Sequence, residues 1–402
     1  MKIASAETFV VANPKPSFGG NYFVFLKLTT EDGVTGIGEV YAAAFGPRAL
    51  RGMIAEVCDR HVIGSDPFRI EALWRDIFGR GYSGLEDVSL MSVLAGVEMA
   101  CWDIVGKALE RPVYDLLGGM VHERLRSYSY LYPADEDTAD VYRDPDVGAA
   151  RAVEFVEMGF TAIKFDPADR YATSDPRQPS LEELARVDAY TRRVREAVGD
   201  RCDILIGTHG QFTTSGAVRF AKVLEPCGPL WFEEPVPPGM PEQMAVVARA
   251  TSIPIAAGER LGGKLEFSRL LATGGASILQ PDLGRCGGIL EGKKIAAIAE
   301  AHYAQIAPHL YCGPVAAAAN IQLSTCIPNF LILESVGRWD GFYAEILKTP
   351  IRWEDGHVIP PSGPGLGVEL DEEVAGRYTY DDDLLHFDPD YILPTGTYAQ
   401  RR

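Results

Sequence analysis

Apolar positions along the chain fall into two textures. Up to about residue 123, strand-like and helical periods are mixed. The stretch YFVFLKLTTEDGVTGIGEVY, residues 22–41, predicts two strands that turn at Asp32-Gly33, a dipeptide suited to a tight hairpin. SLMSVLAGVEMACWDIVGKAL, residues 89–109, carries a helical period that stops near Gly118-Gly119. From residue 124 the texture changes. Eight short β-rich runs follow: LRSYSYLY, FTAIKFD, CDILIGTH, LWFEE, IPIAAGE, SILQPD, AQIAPH and FLILE. Amphipathic segments such as LEELARVDAYTRRVREAV lie between most of them. Strands that alternate with helices imply parallel βαβ units, and about eight such units imply a closed TIM-type barrel. A nucleotide-binding open sheet would want a GxGxxG turn, and none is present. Past residue 336 the chain turns irregular, with IPPSGPGLG as its clearest sign. The expected organisation is an α+β domain over 1–123, a barrel over 124–335 and a C-terminal segment, 336–402, packing back on the first domain.

Length and composition agree with that division. The 402 residues suit a barrel plus a smaller domain, and 47% apolar with 23% charged residues is ordinary for a globular chain. The net charge of −18 argues against nucleic acid and anionic membranes as partners. An acidic protein that handles an acidic substrate needs local positive charge, from a metal or a lysine. The seven cysteines include no CxxC pair, so neither a disulfide framework nor a structural zinc site is expected. The N-terminal residues lack a signal-peptide core, and no apolar stretch approaches the ~20 residues of a membrane span. A cytoplasmic location is expected.

Chemistry concentrates at the ends of the β-rich runs, where a barrel of this type places its active site. The second run ends in Lys164-Phe165-Asp166, the third in Gly207-Thr208-His209, the fourth in Glu233-Glu234 and the fifth in Gly258-Glu259-Arg260. The last three end in Pro281-Asp282, Pro308-His309 and Leu333-Glu334. One such acid would ordinarily cap a helix or pair with a cation. Seven consecutive ends carrying ionisable groups point to a shared site, because charges are rarely buried without partners.

The motifs DGVTGIGEVY, LAGVEMACWDIVGKALERPVYDLLGG, WFEEP, AAGERL, LQPDLGRCGGI and PGLGVEL, taken in order, resemble the enolase superfamily in its mandelate-racemase-like branch. The resemblance implies a modified (β/α)8 barrel of the (β/α)7β type under an α+β capping domain. It also implies one Mg2+, with Mn2+ or another divalent ion as an option, and chemistry that begins at the proton α to a carboxylate. By the same resemblance Asp282 and His309 form the dyad whose histidine is the base. Lys164 occupies the second-strand lysine position, and Glu334 is an acid that contacts the substrate carboxylate. Glu233 and Glu259 match two metal-binding positions. Racemases of the family carry a second lysine where this chain has Asp166, which favours elimination by one base. Asp166 is expected to face Lys164 and keep it charged.

Gly207 stands where the family places its first metal-binding aspartate. Strand period puts His209 on the face of residue 207, so His209 is expected as the third metal ligand, with a general-acid role as the alternative. KFDP, GTHGQFT and PHLYCGP also look like 3,6-anhydro-α-L-galactonate cycloisomerases. The expected reaction is α-proton abstraction from a small sugar acid followed by β-elimination of an oxygen. A cycloisomerase that gives a 2-keto-3-deoxy acid is the first reading, and an open-chain acid-sugar dehydratase the second. A carboxylate-binding protein with weakened catalysis is a third. A homo-oligomer is expected, and Phe18 and Tyr22 of the ANPKPSFGGNYF loop are candidate substrate contacts.

Overall fold

The computed structural model describes residues 1–386 apart from 43, 81, 83, 135, 136, 138, 169–175 and 383. The chain opens with a three-stranded antiparallel sheet: β1 (Ile3–Ala12), β2 (Tyr22–Thr30) and β3 (Thr35–Glu39). The expected hairpin joins β2 to β3, with Gly33 in the left-handed region at its turn. Three helices follow: α1 (Pro47–Val57), α2 (Ile70–Arg80) and α3 (Val88–Ala108). Their apolar faces close a core with the sheet around Leu26, Leu50, Leu73 and Val97. Helix α3 is long and apolar enough to cross a membrane, contrary to the expectation that no stretch comes close. However, 78% of its most apolar window is buried inside the protein, and Glu98 and Asp103 lie in its middle.

All eight expected barrel strands are present: β4 (Leu125–Tyr130), β5 (Ala162–Phe165), β6 (Asp203–Ile206), β7 (Trp231–Glu233), β8 (Ile255–Ala257), β9 (Ile278–Leu279), β10 (Gln305–Ile306) and β11 (Leu333–Ser335). Each pairs in parallel with the next from β4 to β10, and β11 pairs in parallel with β4. A parallel bridge between Ile306 and Phe330 closes the ring. Helices of 10 to 18 residues follow each of the first seven strands, whereas β11 is followed by a four-residue turn of helix at Phe342–Glu345. The architecture is therefore a (β/α)7β barrel with an N-terminal α+β cap. A layer around Tyr128, Leu205, Trp231 and Ile278 fills its bottom. The C-terminal stretch pairs with β4 through His357–Val358, then reaches the first sheet, where Thr379 bridges Val11 and Glu372 meets Lys27 at 2.7 Å. All seven cysteines are buried free thiols, and burial pushes their ionisation upward.

Cap and barrel are joined at three helix ends. The helices at Lys264–Thr273, Ile289–Ala301 and Pro314–Thr325 begin after Gly263, Gly288 and Gly313, and none has a cap from its own N-cap side chain. A helix start leaves backbone N–H groups unpaired and carries a partial positive charge. Here carboxylates of the cap satisfy them. Glu86 accepts from the backbone N–H of Leu265 and Glu266 at 3.3 Å each. Glu98 of α3 accepts from Ile289 and Leu290 at 2.8 Å each, and from the Trp102 indole at 2.7 Å. Glu39 at the end of β3 accepts from Gly313 at 2.5 Å and Ala316 at 2.9 Å. Each glycine is needed for space. A Cβ at 263 or 313 would lie 2.6 Å from a carboxylate oxygen of Glu86 or Glu39, and one at 288 would collide with Glu98.

Truncation of Glu98 leaves one buried and two half-buried donors unpaired. Glu98→Ala is expected to destabilise the protein by roughly 2–4 kcal/mol. The check is a urea melt, which should show a lower midpoint at unchanged slope. A loss within about 0.5 kcal/mol would mean that water replaces the carboxylate at no cost.

Candidate active site

The C-terminal ends of the barrel strands surround a cavity of about 440 Å³ beneath the cap. That volume fits a small acid substrate. Lys164, Asp166, His209, Glu259, His309 and Glu334 all line it. Glu233 and Asp282 are not among its lining residues and act from behind it, through Lys164 and His309.

His309 follows β10, and its Nδ1 lies 2.7 Å from Asp282 Oδ2. The other Asp282 oxygen accepts from the Gly284 backbone N–H at 2.8 Å, which fixes the carboxylate. Nε2 of His309 is left toward the cavity, 3.4 Å from Glu259 Oε2. Burial pulls the imidazole pKa down, but the carboxylates of Glu259, Asp282 and Glu334 outweigh it and raise it to about 9. Glu259 shifts the other way: burial would raise it, yet His309, His209, Lys164 and Arg260 hold it well below the usual carboxylate range.

Lys164 at the end of β5 is 1% exposed. Its ammonium sits 2.5 Å from Glu233 Oε1 and 3.5 Å from Glu334 Oε1, with the Tyr130 ring centre 5.0 Å away. Burial works against its charge, but Glu233 and Glu334 more than compensate and push its pKa well above the ordinary lysine value. The expectation that Asp166 would hold this charge is therefore corrected. Strand β5 ends at Phe165, and Asp166 Oδ2 turns to His209 Nδ1 at 3.0 Å. Glu334 is anchored by the Leu310 backbone N–H at 2.8 Å.

The expected metal ligands His209, Glu233 and Glu259 do not converge. Among the described residues, no group of three His, Cys, Asp or Glu side chains could hold a metal ion. The strand-period argument for His209 fails because β6 ends at Ile206 and the chain turns. Thr208 Oγ1 donates to the carbonyls of Glu233 and Glu234, and His209 adopts a left-handed φ of 49°. Its ring faces Asp166. Burial lowers the His209 pKa, but the Asp166 hydrogen bond and the Glu259 charge raise it on balance. Both Glu233 oxygens are already engaged: Lys164 holds Oε1, while Trp231 Nε1 and Gln280 Nε2 donate to Oε2 at 2.9 and 2.8 Å. The residues present do not fit the divalent ion that the resemblance implies.

Several lining residues escape a reading of strand ends by acids and histidines alone. Tyr41, Tyr130, Tyr132, Tyr142 and Tyr311 make much of the wall. Arg260 and Arg285 add positive charge. Arg260 Nη2 lies 2.7 Å from the buried Glu234, and the Arg285 guanidinium stacks on Tyr41 at 4.5 Å. Both arginines fall within three residues of a strand-end acid, Glu259 or Asp282, and the need for positive charge in an acidic protein was the available signal. Phe18 of the cap lines the cavity and stacks on Tyr132 at 4.0 Å. Tyr22 does not line it. Its ring is buried against Tyr380 and His386.

Two family models cover most of the chain. Residues 6–118 match the mandelate racemase/muconate lactonizing enzyme N-terminal domain, and residues 148–374 match the enolase C-terminal domain-like family. A D-galactonate dehydratase of Ralstonia pickettii (strain 12J) is 37% identical over 359 residues, 88% of this chain and 90% of that protein. A crystal structure from Labrenzia alexandrii DFL-11, of a protein assigned to the mandelate racemase/muconate lactonizing enzyme group, is 58% identical. It superposes with a TM-score of 0.94 over 96% of this chain and 98% of that one. A structure from Burkholderia SAR-1, assigned to the same group, is 57% identical with a TM-score of 0.95, covering 97% of each chain. With its cap, its (β/α)7β barrel and its strand-end carboxylates and histidines, the chain belongs to the enolase superfamily, within the mandelate racemase/muconate lactonizing enzyme family.

Proposed function

We propose that the protein is an acid-sugar dehydratase that takes the proton α to a carboxylate and expels the β-hydroxyl, giving a 2-keto-3-deoxy acid. The observation that carries this reading is the His309–Asp282 pair at 2.7 Å, with the other imidazole nitrogen turned to the cavity. A carboxylate on Nδ1 fixes the tautomer, so Nε2 is the basic nitrogen that meets the α-proton. As that proton leaves, charge grows on the substrate carboxylate, and the cavity offers Lys164 and Arg285 to meet it. His209, held by Asp166, is the general acid for the departing hydroxyl. Its raised pKa keeps the proton available.

Similarity to D-galactonate dehydratases supports a linear sugar acid. The cycloisomerase reading finds no such support from these relatives, although it would use the same base. The discriminating experiment is a panel of linear aldonates and aldarates beside 3,6-anhydro-L-galactonate, read as 2-keto acid formation. Turnover confined to the anhydro acid would reverse the assignment. Solvent deuterium exchange at the α-carbon separates an enzyme from a carboxylate-binding protein.

Replacement of the base gives the first test of mechanism. His309→Asn is expected to lower turnover by roughly a thousandfold and to abolish α-deuterium exchange while the fold is retained. Exchange at the wild-type rate would assign the base elsewhere.

The pH profile gives a second. His309 must be neutral to accept a proton, and its raised pKa of about 9 means that it is mostly protonated at neutral pH. Loss of the His309 proton should therefore give kcat/KM a rising limb toward about 9, while loss of the His209 proton gives a falling limb, so that the profile is bell-shaped. Asp282→Asn removes one of the three carboxylates that raise the His309 value, with Glu259 and Glu334 left in place, so the rising limb should move to lower pH. A limb that stays where it was would belong to another group.

A further inference from the structure

The cation at the centre of this site is a side chain. We propose that Lys164 stands in the place of the divalent ion, and that the substrate carboxylate binds against its ammonium, so that proton abstraction proceeds with no bound metal.

Three observations carry the proposal. The first is at position 207. Gly207 offers no donor, and its φ is not one that demands glycine. The residue is small for reasons of space: a Cβ there would lie 2.8 Å from the Tyr130 hydroxyl and 3.3 Å from Lys164 Cε. The volume into which an aspartate would reach is filled by the stem of the lysine and the head of a tyrosine. Position 207 thus supplies no carboxylate, and the ammonium-bearing stem of Lys164 takes up the space beside it.

The second observation is the state of Glu233. Both its oxygens are engaged, by Lys164 on one side and by Trp231 and Gln280 on the other, and it does not line the cavity. A divalent ion on this carboxylate would have to displace the ammonium and then sit beside it in a buried site, where like charges repel strongly. The third is the seat of the lysine. Glu233 and Glu334 hold Nζ from two strands, and Glu334 is itself pinned by the Leu310 N–H. The side chain is 1% exposed yet lines the cavity, so its ammonium is presented to a ligand from a fixed position.

Charge supports the exchange. A divalent ion held by three carboxylates leaves a site with one net negative charge. An ammonium beside the two carboxylates that remain, Glu233 and the ionised Glu259, leaves the same single negative charge, so the site is no less attractive to an anionic substrate. When His309 removes the α-proton, the C–H electron pair moves into the carboxylate π-system. Lys164 donates N–H hydrogen bonds to the oxygens that gain charge. The proton goes to His309, and no other reactant is consumed.

The test is a titration of the intact protein with Mn2+, followed by elemental analysis after dialysis, alongside α-deuterium exchange in EDTA. The wild-type chain is expected to retain no stoichiometric metal and to exchange at an undiminished rate in EDTA. Lys164→Ala frees Glu233 and leaves the carboxylates uncompensated. It should therefore take up one Mn2+ per chain, and its exchange should fall by roughly a hundredfold or more. One Mn2+ bound per wild-type chain, lost in Glu233→Gln, would overturn the proposal. So would exchange that EDTA abolishes and Mn2+ restores. A folded Lys164→Ala protein that still excludes Mn2+ would show that the lysine does not take the ion's place. Should that variant fail to fold, the wild-type titration decides alone. Metal content does not depend on which sugar acid is turned over, so a failed substrate panel leaves this result readable.

Discussion

Carboxylates seated on helix ends hold this molecule together across its domain boundary. The barrel helices after β8, β9 and β10 each start at a glycine with bare backbone N–H groups, and the cap supplies Glu86, Glu98 and Glu39 to them in turn. The arrangement is costly in part. Burial pushes Glu39 and Glu98 up to about 7 against the pull of the N–H groups that they accept from. It is also reciprocal, since neither the helix starts nor the acids would be satisfied alone. These three contacts, with Trp74 on the Gly287 carbonyl and Lys294 on Glu71, hold the cap over the barrel and with it the roof of the cavity. Phe18 meets Tyr132 and Tyr41 meets Arg285 because the domain that carries Phe18 and Tyr41 has nowhere else to settle.

Below that roof, the candidate site is a problem in placing charge. Six of the eight anticipated residues line one cavity, and the remaining two support them from behind. Opposite signs are interleaved: Glu233 and Glu334 hold Lys164, Asp282 holds His309, and Asp166 holds His209. Lys164 and His309 each keep an acid, Glu233 and Asp282, that does not line the cavity. This is how an acidic protein can present a cationic surface to an acid.

Local patterns made the fold legible. Eight β-rich runs became eight strands, because a strand buried between two layers needs an apolar run and a turn signal and little else. The Asp282–His309 pair was legible too, because parallel neighbouring strands must bring their ends together. What escaped depended on direction or distance. His209 was read as if β6 continued past Ile206, whereas the chain bends there and carries the ring to Asp166. Lys164 was assigned the nearest acid in sequence, but the barrel offered it Glu233, 69 residues away. The interdomain caps join residues 179 to 277 positions apart, and in the sequence the three glycines look only like weak helix starts. No local pattern could announce partners that only the finished fold brings together.

The seven buried thiols carry a practical consequence. Cys58 and Cys101 lie in the cap, and Cys202, Cys227, Cys286, Cys312 and Cys326 lie in the barrel. Burial both hides them and disfavours the thiolate, the only form that reacts quickly. The native chain is therefore nearly silent to alkylating reagents, and each modification records a moment when its region opened. Nature has distributed a set of built-in opening reporters over both domains, so the order in which cap and barrel come apart can be read without adding a label.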